Sequence, residues 1–324
     1  MIITRTPFRI SFVGGGTDLK SYYQTGYGAV VSATIDKYMY ITVNKRFDDS
    51  IRVSYSSTEI VDRVEDIKHD IVREALKMVG IDHGIEITSV SDIPAGTGLG
   101  SSSSFAVGLL NALYTYIGQQ RSAHELAEKA CRLEIDILGH PIGKQDQFAA
   151  AYGGLNYFRF DKDGSVSYKP IKLSAADFAA MDSQLSMWYT GIRRSADSIL
   201  KKQSEDTAKK LQVLHYMRTQ ADELYEELTQ HGYSESFAAA LRQGWEKKKS
   251  ITGGISNAEI DRLYETAMRS GAKGGKILGA GGGGFLLFCC DSEKKAELAK
   301  NLGLQELHFH FTNHGSRVVF LSEN

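Results

Sequence analysis

Cysteine is scarce. The 324 residues hold three, Cys131, Cys289 and Cys290, with no C-x-x-C pair, so neither a disulfide framework nor a thiolate zinc site is indicated. The expected setting is a reducing cytoplasm. A formal net charge of -1 gives no footing for bulk binding to nucleic acid. No apolar run approaches the roughly 18 residues of a membrane span. The opening text "MIITRTPFRISF" lacks a signal-peptide core and cleavage site. Nucleic-acid and membrane partners are therefore not expected, and a homodimer stays open. Walker A, G-x-x-x-x-G-K-[ST], has no match, and neither H-R-D nor D-F-G of the protein kinases occurs. Only four prolines punctuate the chain, against 32 glycines.

Those glycines cluster. The stretch "PAGTGLGSSSS", Pro94 to Ser104, runs without a break into the apolar "FAVGLLNALYTYIG". Glycines adopt positive φ freely and let backbone approach a ligand, while a helix start offers unpaired N–H groups and a positive dipole end. Together they make an anion seat, with phosphate the usual guest; a flexible connection is the alternative. A second cluster contains Gly279, Gly281 and Gly284 in G-x-G-x-x-G spacing. The strand-like "FLLFCC" follows it where a dinucleotide fold needs a helix, so a Rossmann reading fails on context. A plain hairpin remains open there.

Elsewhere the text predicts α+β architecture in two halves, 1–170 and 171–324. "MIITRTPFRISFV" alternates as a strand, and "GAVVSATIDKYMYITVNKRF", "IRVSYSS" and "GIEITSVSDI" follow as further strands. Helical spacing of apolar residues from Glu59 to Val79 predicts a helix. Ser122 with Glu125, and Ser256 with Glu259, predict capping boxes. Asp163-Gly164 suits a hairpin turn, and "QLSMWYTG" and "RVVFLS" close the set of strands.

Phosphoryl transfer needs carboxylates beside the anion seat. "CRLEIDILGHPIGKQDQFAAAYGG" supplies Glu134 and, twelve residues on, Asp146. Asp146 follows a turn and precedes an apolar run. It is read either as a helix N-cap or as the carboxylate that orients or deprotonates an acceptor hydroxyl.

Three separated stretches, "PFRISFVGGGTD" (Pro7 to Asp18), "PAGTGLGSSSS" and "GAGGGGF" (Gly279 to Phe285), with "GKQDQ" between the last two, resemble in order the GHMP family of small-molecule kinases. The resemblance implies a ribosomal protein S5 domain 2-like first half and a ferredoxin-like second half, with the site between them. It implies ATP bound by Pro94, Gly96, Gly98, Leu99, Gly100, Ser101, Ser102 and Ser103. Mg²⁺ would sit on Ser102, with Ser101 as fallback, and Glu134. Asp146 would act on the acceptor hydroxyl with Arg9 beside it. Gly15, Gly16, Thr17, Asp18, Gly281 and Gly282 would border the substrate.

Galactokinases carry Glu-His where this chain has Gly15-Gly16, which argues against galactose. "TPFRISFVGGGTDL", "ATIDKY" and "GKQDQFAAAYGG" are most similar to the heptose 7-phosphate kinases, which act on the anomeric C1 hydroxyl of a sugar phosphate; fucokinases share much of the pattern. A substrate phosphate needs a second anion site, for which Arg193 and Arg194 stand as candidates, with a solvated basic pair as the alternative. A non-catalytic sugar sensor is the remaining reading.

Overall fold

The computed structural model describes residues 1–192, 207–251 and 253–322. β1 (Ile2–Val13) lies antiparallel to the nineteen-residue β2 (Tyr27–Lys45). On its other side β2 pairs first with β6 (Leu155–Asp161) and then with β5 (Ile85–Ser91). A hairpin of β3 (Ile51–Ser54) and β4 (Thr58–Val61) adds to β5 in parallel, and β7 (Val166–Pro170) adds to β6 across the predicted Asp163-Gly164 turn. β12 (Arg317–Leu321) returns from the end of the chain to pair with β1. The second sheet runs β11 (Gln305–Leu307), β8 (Leu185–Tyr189), β10 (Phe285–Cys290), β9 (Ala272–Ile277).

β1 alternates in burial over its first four residues and is then buried on both faces. The helix Ser101–Tyr116 covers one side of it so closely that a side chain at Gly108 would meet Thr6 Oγ1 at 2.7 Å, and Thr4 Oγ1 donates to the Gly108 carbonyl. Phe12 then meets Phe237 of the helix Glu235–Lys249 edge to face, centroids 5.0 Å apart, a contact of about 1 kcal/mol beyond its burial. This pair binds the motif-bearing strand to the second half of the chain. Among the described residues no helix is long and apolar enough to cross a membrane.

Two local expectations are corrected. The Glu59–Val79 helix is only Asp70–Val79; ahead of it lie β4 and a short 3₁₀ turn. Ile60 fits the helical spacing yet is solvent-exposed on β4, because its neighbours pair with β3 and not with a helix turn. The helix Ala258–Arg269 is capped by Asn257, whose Oδ1 accepts from the amides of Glu259 and Ile260; Ser256 instead donates to Asp261. The Ser122–Glu125 capping box forms as predicted.

Candidate active site

A cleft of about 300 Å³ opens between the end of β1, the Gly/Ser loop, the turn before Asp146 and the second glycine cluster. Gly96, Gly98 and Gly100 all have positive φ, +76°, +86° and +75°. Gly100 caps the helix Ser101–Tyr116, whose first intrahelical bond is Ser104 N to Gly100 O. The amides of Ser101, Ser102 and Ser103 therefore lie ahead of the ladder, at the cleft.

Asp146 stands in the first turn of the helix Gln145–Tyr152, two residues after the N-cap, Lys144. Its carboxylate takes a two-pronged grip from Arg9: Nε to Oδ1 at 2.7 Å and Nη2 to Oδ2 at 2.6 Å. The remaining arm, Nη1, donates to Gly98 O at 2.7 Å, and the Arg9 amide donates to Leu99 O. One side chain thus fixes strand, loop and carboxylate together. The N-cap reading of Asp146 is set aside by this geometry.

Glu134 falls in a π-helical stretch, Arg132–Ile137, that continues the helix Ala123–Cys131. Such widened turns occur at functional sites. The carboxylate is fully buried; Ser102 Oγ donates to Oε1 at 2.6 Å, while Ser103 Oγ and Gln147 Nε2 donate to Oε2. Burial raises its pKa above the ordinary value, partly offset by those three donors. Asp18 is likewise buried beneath the cleft, accepting from the amides of Gly16 and Gln145. Burial first and the Asp146 charge second raise its pKa, against those backbone donors.

Family models match twice: GHMP kinases N terminal domain over residues 67–154, and GHMP kinases C terminal over 224–302. The D-glycero-alpha-D-manno-heptose 7-phosphate kinase of Campylobacter jejuni is 32% identical over 97% of both chains. The chain belongs to the GHMP kinases. It is an ATP-dependent phosphotransferase with an alcohol group as acceptor. An L-fucokinase/L-fucose-1-P guanylyltransferase of Bacteroides fragilis is 27% identical over 87% of this chain and 34% of its own length. A solved D-glycero-D-manno-heptose 1-phosphate kinase of Bacteroides thetaiotaomicron superposes with a TM-score of 0.82 at 24% identity, covering 100% of both chains, and shares the α+β GHMP kinase fold.

Within this kinase the cleft gathers Arg9, Gly15, Gly16, Asp18, Gly96, Gly98, Gly100, the serines 101 to 103, Asp146 and Gly281. Five expected residues among those described do not line it. Pro94 turns its carbonyl to Thr97 Oγ1, and Leu99 is buried in the core. The Thr17 hydroxyl is taken up by the backbone at Gly14 and Ala29, where it braces the turn. The Gly282 amide donates to Ile255 O. Glu134 lies behind Ser102 and Ser103, joined to the cleft through them. Arg193 and Arg194 lie outside the described residues.

Two lysines join the site that no motif announced. Lys276, on β9, donates to the carbonyls of Ser11 and Phe12, both at 2.7 Å. Lys248, from the helix Glu235–Lys249, donates to Gly279 O. In the sequence Lys248 sits in "EKKKS" and reads as a solvated run; only tertiary packing buries it. Helical spacing is the one signal that separates it from Lys247 and Lys249, since Phe237, Leu241, Gly244, Trp245 and Lys248 fall on the buried face of that helix.

Proposed function

We propose that this sugar kinase phosphorylates the anomeric C1 hydroxyl of D-glycero-D-manno-heptose 7-phosphate, giving the 1,7-bisphosphate on the way to nucleotide-activated heptose. The observation that carries the reading is the Arg9–Asp146 pair, hydrogen-bonded to Gly98 O of the loop whose following amides begin the helix. The full-length likeness to the Campylobacter jejuni kinase supports the choice of sugar. Gly15 and Gly16 also line the cleft, leaving room beside Asp18 that larger side chains would fill.

In this reading the amides from Gly96 to Ser103 seat the triphosphate of ATP. Asp146 accepts the proton of the acceptor hydroxyl and aims its oxygen at the γ-phosphorus. Arg9 holds that carboxylate by both oxygens and fixes its plane. Seating and aiming carry most of the acceleration, since phosphoryl transfer asks little covalent chemistry of the protein.

Ser102 would hold Mg²⁺ at the cleft, backed by Glu134. Ser102 lines the cleft and donates its hydroxyl hydrogen to Glu134, which leaves its oxygen free to ligate a hard cation that retains water and phosphate oxygens. When bound, the ion neutralises charge on the β- and γ-phosphates. The seat for the 7-phosphate is proposed at Arg193 and Arg194 on sequence grounds.

An ADP-release assay over heptose 7-phosphate, heptose, fucose, mannose, galactose and mevalonate tests the assignment. The highest kcat/KM is expected for heptose 7-phosphate, with the unphosphorylated heptose well below it. A preference for fucose would favour the second reading, which the Bacteroides fragilis relative supports. A preference for mevalonate would remove both.

A further inference from the structure

Lys248 is 5% exposed, yet it borders the same cleft as Arg9, Asp18 and Asp146. A buried ammonium normally spends its donors on fixed acceptors, because each unmet one costs free energy. Lys276 does so, bridging two carbonyls at the end of β1. Lys248 differs. Among the described residues its Nζ has one acceptor, Gly279 O, out of three N–H donors. It is also delivered by the second half of the chain, whereas Arg9, Asp18 and Asp146 come from the first.

We propose that Lys248 is a further catalytic residue, whose ammonium hydrogen-bonds the phosphoryl group in transfer. The inference rests on the kinase reading of this cleft but not on the identity of the sugar. In the step, the acceptor oxygen bonds to the γ-phosphorus while the bond from that phosphorus to the bridging oxygen breaks. The electron pair leaves with ADP, the hydroxyl proton passes to Asp146, and Lys248 keeps its protons and offsets oxygen charge.

The groups facing Lys248 set its titration. Burial and then the Arg9 charge lower its pKa to about 8, with Asp18 and Asp146 opposing; the neighbouring cation Lys276 is lowered well below the usual lysine range by burial, then by Lys248 and Arg9. The active form is the ammonium. In the free enzyme it is lost as pH rises through about 8, so kcat/KM for ATP should fall there.

The test compares wild type, Lys248→Met and Lys248→Arg between pH 6.5 and 9.5, with melting temperature and ATP-analogue affinity measured alongside. Lys248→Met is expected to lower kcat by about 10²-fold with analogue affinity within about threefold, as for loss of one donor to developing charge. Lys248→Arg, which stays charged, should lose the alkaline fall. A Lys248→Met kcat within about threefold of wild type overturns the proposal, as does a wild-type profile flat through pH 8 or an alkaline fall that persists in Lys248→Arg. Should the Met variant fail to fold, the wild-type profile alone still decides. If wild type transfers phosphate to no sugar in the panel, the functional reading fails instead, which is a separate result.

Discussion

Two glycine-rich turns face the same cleft; both take positive φ, and they differ in how closely backbone presses on their glycines. At Gly96, Gly98 and Gly100 the backbone takes positive φ, and the chain then enters a helix whose first amides meet the cleft. In the turn from Gly279 to Gly284, φ is positive as well at Gly279, Gly281, Gly282 and Gly284, and closely packed backbone adds a second constraint. A Cβ on Gly279 would lie 2.5 Å from Gly98 Cα, one on Gly281 2.6 Å from Ile255 O, and one on Gly284 2.3 Å from Thr97 O. In the first turn Gly98 is crowded in the same way, since its Cβ would meet Leu278 O at 2.6 Å. The first turn is therefore built to present donors, and the second to press against the back of the first. Similar composition conceals a binding element and its buttress.

The largest expected effect tests the binding side. Asp146→Asn should lower kcat by roughly 10²-fold or more while the fold persists, because the amide cannot take the hydroxyl proton. Steady-state kinetics beside a melting curve check it; near-normal turnover would remove Asp146 from the chemistry. Next comes the buttress. Gly98→Ala and Gly279→Ala should each destabilise the kinase by roughly 1–3 kcal/mol, since a side chain there is strained in φ and meets backbone that cannot give way. Denaturant titration reads this, and the comparison breaks if Gly279→Ala is harmless while Gly98→Ala is not. The smallest effect is the control: Gly26→Ala, with nothing within 4 Å of its Cβ, should change stability by no more than about 0.5 kcal/mol.

Much of this was legible before any coordinates. The strand "FLLFCC" after the second glycine cluster correctly excluded a dinucleotide fold, because strand propensity there is strong and local. Arg9 and Asp146 were named from motifs, and the structure joins them through two hydrogen bonds. What escaped was non-local. Thr17 sits in a motif, but its hydroxyl is consumed by backbone brought alongside from Ala29. Lys248 continues the buried face of its helix after Leu241 and Trp245 but reads as polar in a run of lysines, Lys276 carries no such mark, and the burial of both depends on how the second half packs against β1. Ile60, Val64 and Ile67 match a helical period by coincidence of spacing; pairing of β4 with β3 takes Ile60, and a 3₁₀ turn buries Val64 and Ile67.

The central proposal is a cup of backbone N–H groups from 96 to 102 as the seat of a triphosphate. Hydrogen–deuterium exchange on the full chain, with and without a non-hydrolysable ATP analogue and Mg²⁺, addresses it most directly. The account predicts exchange at these amides slowed by about tenfold or more on binding, while the helix Ala258–Arg269 is unaffected. Unchanged exchange across 96–102 at saturating analogue would contradict it.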